Sequence, residues 1–500
     1  MTDMSSSKKS LVLCLLPLLC GAGQAAVSTP VDKPQYQQSR FGTDIQPLSP
    51  QEVSPSLQKA MTPNEQILKR FKGAATPEAS LNANGVSRHG SGGGLQFFPS
   101  QPLNFMPYLD SLYVLGNTCV EPGGVFEEDA LSTSMQKIKK EVSQYGVTYS
   151  LSHGFGYSYV AGELPDRSNK RSFPVYNLSL QTNVTFFRDS HTGNGLFLIS
   201  DLEYGPGLGF NQNRQAPNNS IGASQLVSGF YNFGDPYFEN LSLGYTAFKG
   251  KLVVMAGLLE VDSFLDHNIY AAPFDNSSLN NTQALPLSSS SWGYHIAWQP
   301  NKSFYMMISS TSNNTPVRHN PFNYISSNNW SNVLEIGWIT EDLAGLGPGA
   351  YRIQPFWTTS QGDNGGGLAI NIQQQLGRNS TLGWFLTAGA ADDNAARVTG
   401  IQYSAATGLL WMTPFSKTSS WRIFRSANNG CLGLGVLWQR GAKDNGPYTN
   451  NNEYGAELSY TLQMTPTMTI KPDIQVVHNP IHGKRGQTDV VLQIQNIWTW

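Results

Sequence analysis

Charge is scarce in this chain. Charged residues make up 13% of 500 positions, against roughly 25% in an ordinary soluble domain. The charge that is present nearly cancels, with 32 Lys and Arg against 34 Asp and Glu. No basic face follows from such a balance, and nucleic acid is excluded as a partner. Long apolar runs are also missing. Beyond the first 25 residues nothing approaches the run of about 18 apolar residues that a membrane-crossing helix needs. Cysteine is limited to Cys14, Cys20, Cys119 and Cys431, with no histidine cluster beside them, so a zinc-type site is excluded. A Gly-X-Ser-X-Gly elbow and a phosphate-binding P-loop are both absent. No catalytic set of Ser, His and acid can be assembled, and no cofactor is implied.

What is present points elsewhere. Lys8 and Lys9, the apolar stretch Leu11 to Leu19 and the small residues Gly21 to Ala26 read as an export signal over 1–25, cleaved after Ala25. Export permits a disulfide between the two cysteines left, Cys119 and Cys431. Residues 26–124 are rich in Pro, Ser, Gln, Ala and Asn. They read as a low-complexity, partly disordered periplasmic segment. Residues 126–145 read as a short lead-in helix, with Glu127, Glu128 and Asp129 at its positive end. Leu131, Met135, Ile138 and Val142 recur on one face, and Gly146 stops it.

From Val147 onward the period becomes two. Tyr454, Ala456, Leu458, Tyr460 and Leu462 alternate with Glu453, Gly455, Glu457, Ser459 and Thr461. Met468, Ile470, Ile474 and Val476 alternate with Thr469, Lys471, Asp473 and Gln475, with Pro472 on the apolar side. Trp292, Tyr294, Ile296 and Trp298 oppose Gly293, His295, Ala297 and Gln299. One face apolar and the other carrying Asn, Gln, Glu, Lys and Arg suits a strand with lipid on one side and water on the other. A β-sandwich would instead put a dry core on its inner faces. About 16 or 17 such segments occur, and bacterial barrels of one chain take an even number. The weakest is Ser224 to Tyr231, so the sequence predicts an all-β, transmembrane antiparallel barrel of 16 strands over 125–500. The last strand alternates to Trp500, which resembles the signal read by the outer-membrane assembly machinery. A bacterial outer-membrane location in contact with lipid follows.

Two stretches carry a family resemblance. Phe264-Leu265-Asp266-His267-Asn268-Ile269-Tyr270-Ala271 is one. The other is Glu453-Tyr454-Gly455-Ala456-Glu457-Leu458-Ser459-Tyr460, followed by Pro472-Asp473-Ile474-Gln475 and Asn479-Pro480. Together they resemble the OprB-type carbohydrate-selective porins. The N-terminal part to Gly124 has no counterpart, and Glu260 stands where the family has Asp. The resemblance implies a 16-stranded barrel, a monomer or a trimer, that passes glucose and related sugars down their gradient with no cofactor and no catalysis.

A sugar channel needs a hydrated lumen, a constriction and weak binding. By alternation Glu335, Arg352, Gln354, Asn371, Gln373, Glu453, Glu457, Lys471, Asp473 and Gln475 face inward, and Glu457, Arg352, Lys471, Asp473, Gln475 and Glu335 are the expected channel-lining residues. The bland alternative is a set of wall residues tied into a charge ladder. Asp262, Asp266 and Asn268 are constriction-loop candidates, with ordinary Asx turns as the other reading. A metal is not expected: His478 and His482 straddle Pro480, and the oxygens of Asp262, Asp266 and Asn268 lack EF-hand spacing. A general, non-selective porin shares every feature except a sugar-binding constriction. A coupled transporter would need about 22 strands and a larger plug.

Overall fold

In the computed structural model, residues 138, 141–142 and 145–499 are described, apart from 167–168, 190–191, 193, 210–215, 230–233, 249–250, 289, 302, 314–328, 341, 361–362, 378–379, 413–429, 444–449 and 466. The signal, the segment 26–124 and most of the lead-in helix therefore lie outside the described residues. Ile138, Glu141 and Val142 within that helix are helical.

The described chain is one closed antiparallel barrel of 16 strands in sequence order, with β1 (Val147–Gly162) pairing β16 (Thr488–Thr499). Between them lie β2 (Ser172–Arg188), β3 (Gly195–Gly205), β4 (Gly234–Ala247), β5 (Leu252–Leu259), β6 (Ser291–Trp298), β7 (Phe304–Ser312), β8 (Trp330–Thr340) and β9 (Gly349–Ser360). They continue as β10 (Asp363–Gln375), β11 (Leu382–Ala391), β12 (Ile401–Met412), β13 (Gly430–Gly441), β14 (Asn452–Gln463) and β15 (Met468–His478). No described helix is long and apolar enough to cross a membrane. The weakest of the sequence segments resolves itself: 224–229 form no strand.

Alternation does what the sequence pattern requires. In β14, Glu453, Gly455, Glu457, Ser459 and Thr461 are buried while Tyr454 and Leu458 lie exposed on the outside. In β13 the outer Leu434 and Val436 are about half exposed. The exposed apolar side chains thus form a continuous outer surface, which only lipid can cover without cost. Aromatics gather towards the strand ends. His153 stacks on Trp498 with centroids 5.2 Å apart, and Trp338 on Tyr351 at 5.3 Å, on the side of the short turns. Tyr454 faces His478 at 6.1 Å on the other side. Such belts sit at the two membrane–water boundaries.

Pro472 is tolerated in the middle of β15 because the ladder gives way beside it. Pairing with β14 runs from His478 to Asp473 and resumes only at Ile470. A proline has no N–H to contribute there.

The connections on one side of the barrel are short, as at 248–251, 299–303 and 464–467. Those on the other include 206–233 and 260–290, both of which carry residues deep inside the barrel. They contain the short helices α1 (Pro217–Ile221) and α2 (Ser277–Asn280), and α3 (Asp393–Thr399) sits between β11 and β12. Cys431 begins β13 with its side chain inward and is disulfide-bonded. Its partner cysteine lies outside the described residues.

The outer surface makes a direct prediction. Leu434→Arg places a charge near the middle of β13, and it should lower barrel stability in lipid vesicles by roughly 2–4 kcal/mol, while Leu434→Ala costs much less. Equal denaturant midpoints for the two variants in vesicles would mean this face does not meet lipid.

Candidate functional site

The connection from β5 to β6 does not stay outside. It folds into the lumen, and every described residue from Glu260 to Asn280 is buried. Apolar side chains of this inner loop (Leu265, Ile269, Tyr270, Phe274 and Leu279) join the inward wall residues Phe197, Met255, Tyr305 and Phe385 in one core inside the barrel. Small residues on the wall make this possible. An added Cβ on Gly383 would come within 2.0 Å of the Tyr270 ring, and one on Gly435 within 2.9 Å of Leu279. The loop backbone lies against the wall because those positions have no side chain.

Polar wall residues then hold the loop at two places. The first is on β8, β9 and β10. Glu335 accepts the backbone N–H of Asp266 at 2.8 Å, the Tyr305 hydroxyl at 2.6 Å and the Gln354 amide at 2.8 Å. Arg352 donates to Tyr305 Oη at 2.7 Å, Asn371 at 3.0 Å and Gln373 at 3.2 Å, and lies 3.6 Å from Glu335. Asp266 has a left-handed backbone, with φ of 59°, which Asp tolerates better than most residues. Its carboxylate accepts from Thr282 N at 2.5 Å, Asn371 Nδ2 at 2.8 Å and Gln354 Nε2 at 3.1 Å. Asn268 ties outward to Asn371 and the Ile372 carbonyl, and its own oxygen accepts from the N–H of Tyr270 at 3.1 Å. It is an Asx turn and a wall contact at once.

The second place is on β14, β15 and β16. Glu457 accepts two successive loop N–H groups, from Asp275 at 2.6 Å and Asn276 at 2.8 Å. Lys471 donates to Asp275 at 3.0 Å. Gln475 bonds Asn276 at 3.1 Å, the Val227 carbonyl at 2.7 Å and Asp473 at 2.9 Å. Four residues before Glu457 on the same face, Glu453 repeats the device. It accepts the successive N–H groups of Ser224 and Gln225 at 3.0 and 2.9 Å, so it holds the β3–β4 connection, and it accepts Ile481 N at 2.8 Å. The two inner connections meet where Ser277 N donates to the Leu226 carbonyl at 3.0 Å.

All six expected lining residues point inward, yet each is buried in this network. Their immediate partners are the loop and one another. Asp262 lies buried in the 3-10 turn Val261–Ser263 at the root of the loop, apart from Asp266 and Asn268. Sequence reasoning missed Glu453 as a docking group, although its spacing of four from Glu457 on an alternating strand was the available signal.

Residues 365–499 match the family model of the carbohydrate-selective porin, OprB family. That range contains the second of the two resembling stretches, whose polar members Glu453, Glu457, Asp473 and Gln475 build the second docking place. The first stretch, Phe264 to Ala271, lies outside the match and is the loop itself. In fold the chain is similar to the high-pH structure of Pseudomonas putida OprB, at 15% identity, a TM-score of 0.58, and coverage of 73% of this chain and 97% of that one. The low-pH structure of the same protein gives 15% identity, a TM-score of 0.46 and the same coverage. A mutant of the Rh. blastica porin gives 10% identity and a TM-score of 0.42, with 71% of this chain and 100% of that one covered. No curated protein sequence matches.

Two predictions follow from the docking. Glu457→Gln leaves one acceptor oxygen and turns an amide donor towards a loop N–H, so it should loosen the loop by roughly 2 kcal/mol, the scale of one hydrogen bond to a charged group. Channel current should become noisier and the loop should be cut sooner by protease; unchanged noise and cleavage would show that Glu457 does not hold it.

The second concerns acidity. Burial, with the Glu335 charge beside it, pushes the Asp266 carboxyl up to about 6, against the pull of its bonds from Asn371, Thr282 and Gln354. An undocked Asp titrates near 4, so between about pH 4 and about pH 6 the docked form keeps a proton that the free loop loses. The raised value therefore favours docking in acid, and that contribution fades as pH rises through this window. Glu335, Arg352 and Tyr305 face the same spot. Loop protection from protease should increase from pH 7 to pH 5 more in the native chain than in Asp266→Asn. Parallel profiles for the two would remove Asp266 as the cause.

Proposed function

We propose that the protein is an outer-membrane porin through which carbohydrates, glucose and related sugars among them, diffuse passively. The observation that carries this reading is the inner loop. A 16-stranded barrel is wide enough for an aqueous channel, and a segment docked on the inner wall narrows such a channel to a selective passage. The match to the carbohydrate-selective porins over 365–499 supplies the substrate class.

The chemistry agrees with neutral solutes. Arg352 and Lys471 on the inner wall are each paired with a carboxylate, at 3.6 and 3.0 Å, so these cations are spent on structure. Other inward wall residues are amides and hydroxyls, including Asn177, Gln181, Asn183, Ser242 and Ser309, all of them buried. A wall built largely of neutral amides and hydroxyls suits neutral polar solutes better than ions. The barrel has its bacterial outer-membrane setting in the outer apolar surface and its two aromatic belts. Glu335, Arg352, Glu457, Lys471, Asp473 and Gln475 act in this reading through the loop they hold, and Asp266 and Asn268 set its position.

Purified protein in a planar bilayer tests it. Conductance steps that fall saturably as glucose or maltose is added are expected, and loosening the loop by Glu457→Gln or Arg352→Gln should weaken the block. Steps indifferent to sugar would leave a general small-solute porin, and the absence of steps would reject a channel altogether.

A further inference from the structure

A second group of buried acids stands apart from the docking places. Asp201 on β3, Glu239 on β4 and Glu260 just past β5 each present a carboxylate oxygen, and these three oxygens lie within 4.8 Å of one another. All three residues are buried, Glu239 completely. The charges acting on Glu239 are those of Glu260, Glu203, Asp201 and Asp262, every one an acid. Asp201 is partly served by Ser179 at 3.0 Å and Gln181 at 2.5 Å, and Glu260 accepts the Ser263 hydroxyl. Glu239 differs. Neither of its oxygens has a hydrogen-bond partner among the described residues.

The backbone shows that Glu239 is aimed there. The β3–β4 ladder pairs Asp201 with Asn240 and then Leu202 with Phe238, so Glu239 is the extra residue of a β-bulge. Glu239 and Asn240 consequently both turn inward. Bulges serve to re-aim a side chain, and here the re-aimed group is a carboxylate delivered into a cluster of like charge. An ionised carboxylate buried without a partner is costly enough that it is normally paired or bound to a metal.

We propose that Asp201, Glu239 and Glu260 bind a divalent cation of the calcium class. Calcium takes oxygen ligands at about 2.3–2.6 Å, which places opposite ligands up to about 5 Å apart. Three oxygens within 4.8 Å of one another can share that sphere. Magnesium gives up its waters reluctantly, which suits it poorly to three ligands buried this deeply. A set of oxygens alone does not favour zinc, which prefers nitrogen and sulfur. The ion would tie the adjacent wall strands β3 and β4 to the first residue of the inner loop. It would fix the root of that loop while Glu335 and Glu457 hold its middle. No local pattern links the three acids, since Glu239 lies 38 positions after Asp201 and Glu260 lies 21 after Glu239.

The test uses the full chain refolded into detergent from inclusion bodies, because native lipopolysaccharide binds calcium itself. After chelating resin, loading with calcium chloride and desalting, metal analysis should return about one calcium per chain, as a site of this ligand type requires. EGTA should lower the Tm of this protein, and magnesium chloride should not restore it. Glu239→Gln keeps the side-chain shape and should return no calcium and a Tm that ignores EGTA. Asp201→Asn, checked for folding by its heat-dependent migration on a gel, should do the same. A native chain that retains no calcium and shows no response to EGTA would overturn the proposal, as would calcium retained in full by both folded variants.

Discussion

A strand inside hydrocarbon has no water to satisfy its N–H and C=O groups, and the rest of this structure depends on that constraint. Only closure removes the unpaired edge, and closure here is the pairing of β1 with β16 along Ser152 to Gly162. Once the sheet is closed, every residue has one of two environments, and the period of two follows. Leu458 and Leu434 can face lipid because Glu457 and Gly435, their neighbours in the chain, cannot. Pro472 in the middle of β15 obeys the same constraint, since the ladder with β14 is broken beside it rather than left with a missing donor.

Closure creates a second problem, which the inner loop solves. A polar inner wall is suited to water, but a chain segment lying on it brings backbone donors that must be satisfied. The wall answers with carboxylates. Glu457 and Glu453 each take two successive N–H groups, and Glu335 takes one. These bonds are charge-assisted and stronger than neutral ones, yet burying the acids costs free energy that the bonds only partly offset. An apolar contact of the same area would be more economical. It would not, however, fix where along the wall the loop sits, because apolar contacts are not directional. Pairs of N–H groups on a fork of two oxygens are directional. The apolar core around Phe274, Leu279 and Tyr270 supplies adhesion, with Gly383 and Gly435 as the seats, and the carboxylates supply position.

This division explains what the sequence could and could not show. Alternation is a local property, so the barrel, its strand number and the inward direction of Arg352, Lys471, Asp473 and Gln475 were legible from residue order alone. The segment 224–229 had strand-like composition, but it lies inside as a loop against Glu453, a contact across 229 positions from Ser224 that no local pattern encodes. For the same reason Glu457 read as a lining charge: period two says that a side chain faces the lumen, not that another part of the chain already occupies the place. Asn268 was open between a constriction-loop residue and an Asx turn; in the structure it both accepts the Tyr270 N–H and bonds the wall at Asn371.

The acids at the loop root follow a different rule. Elsewhere in the barrel each inward carboxylate that holds the loop has donors supplied by the chain, and its position can be understood from them. Glu239 has been turned inward by a bulge at the expense of regular pairing, and the chain offers its two oxygens no donor among the described residues. Glu239 is the member of the cluster with neither oxygen bonded, and something from solution would complete it. A cation does so in a way that a proton does not, because a proton neutralises one acid whereas a divalent ion draws three elements together and places the start of the loop.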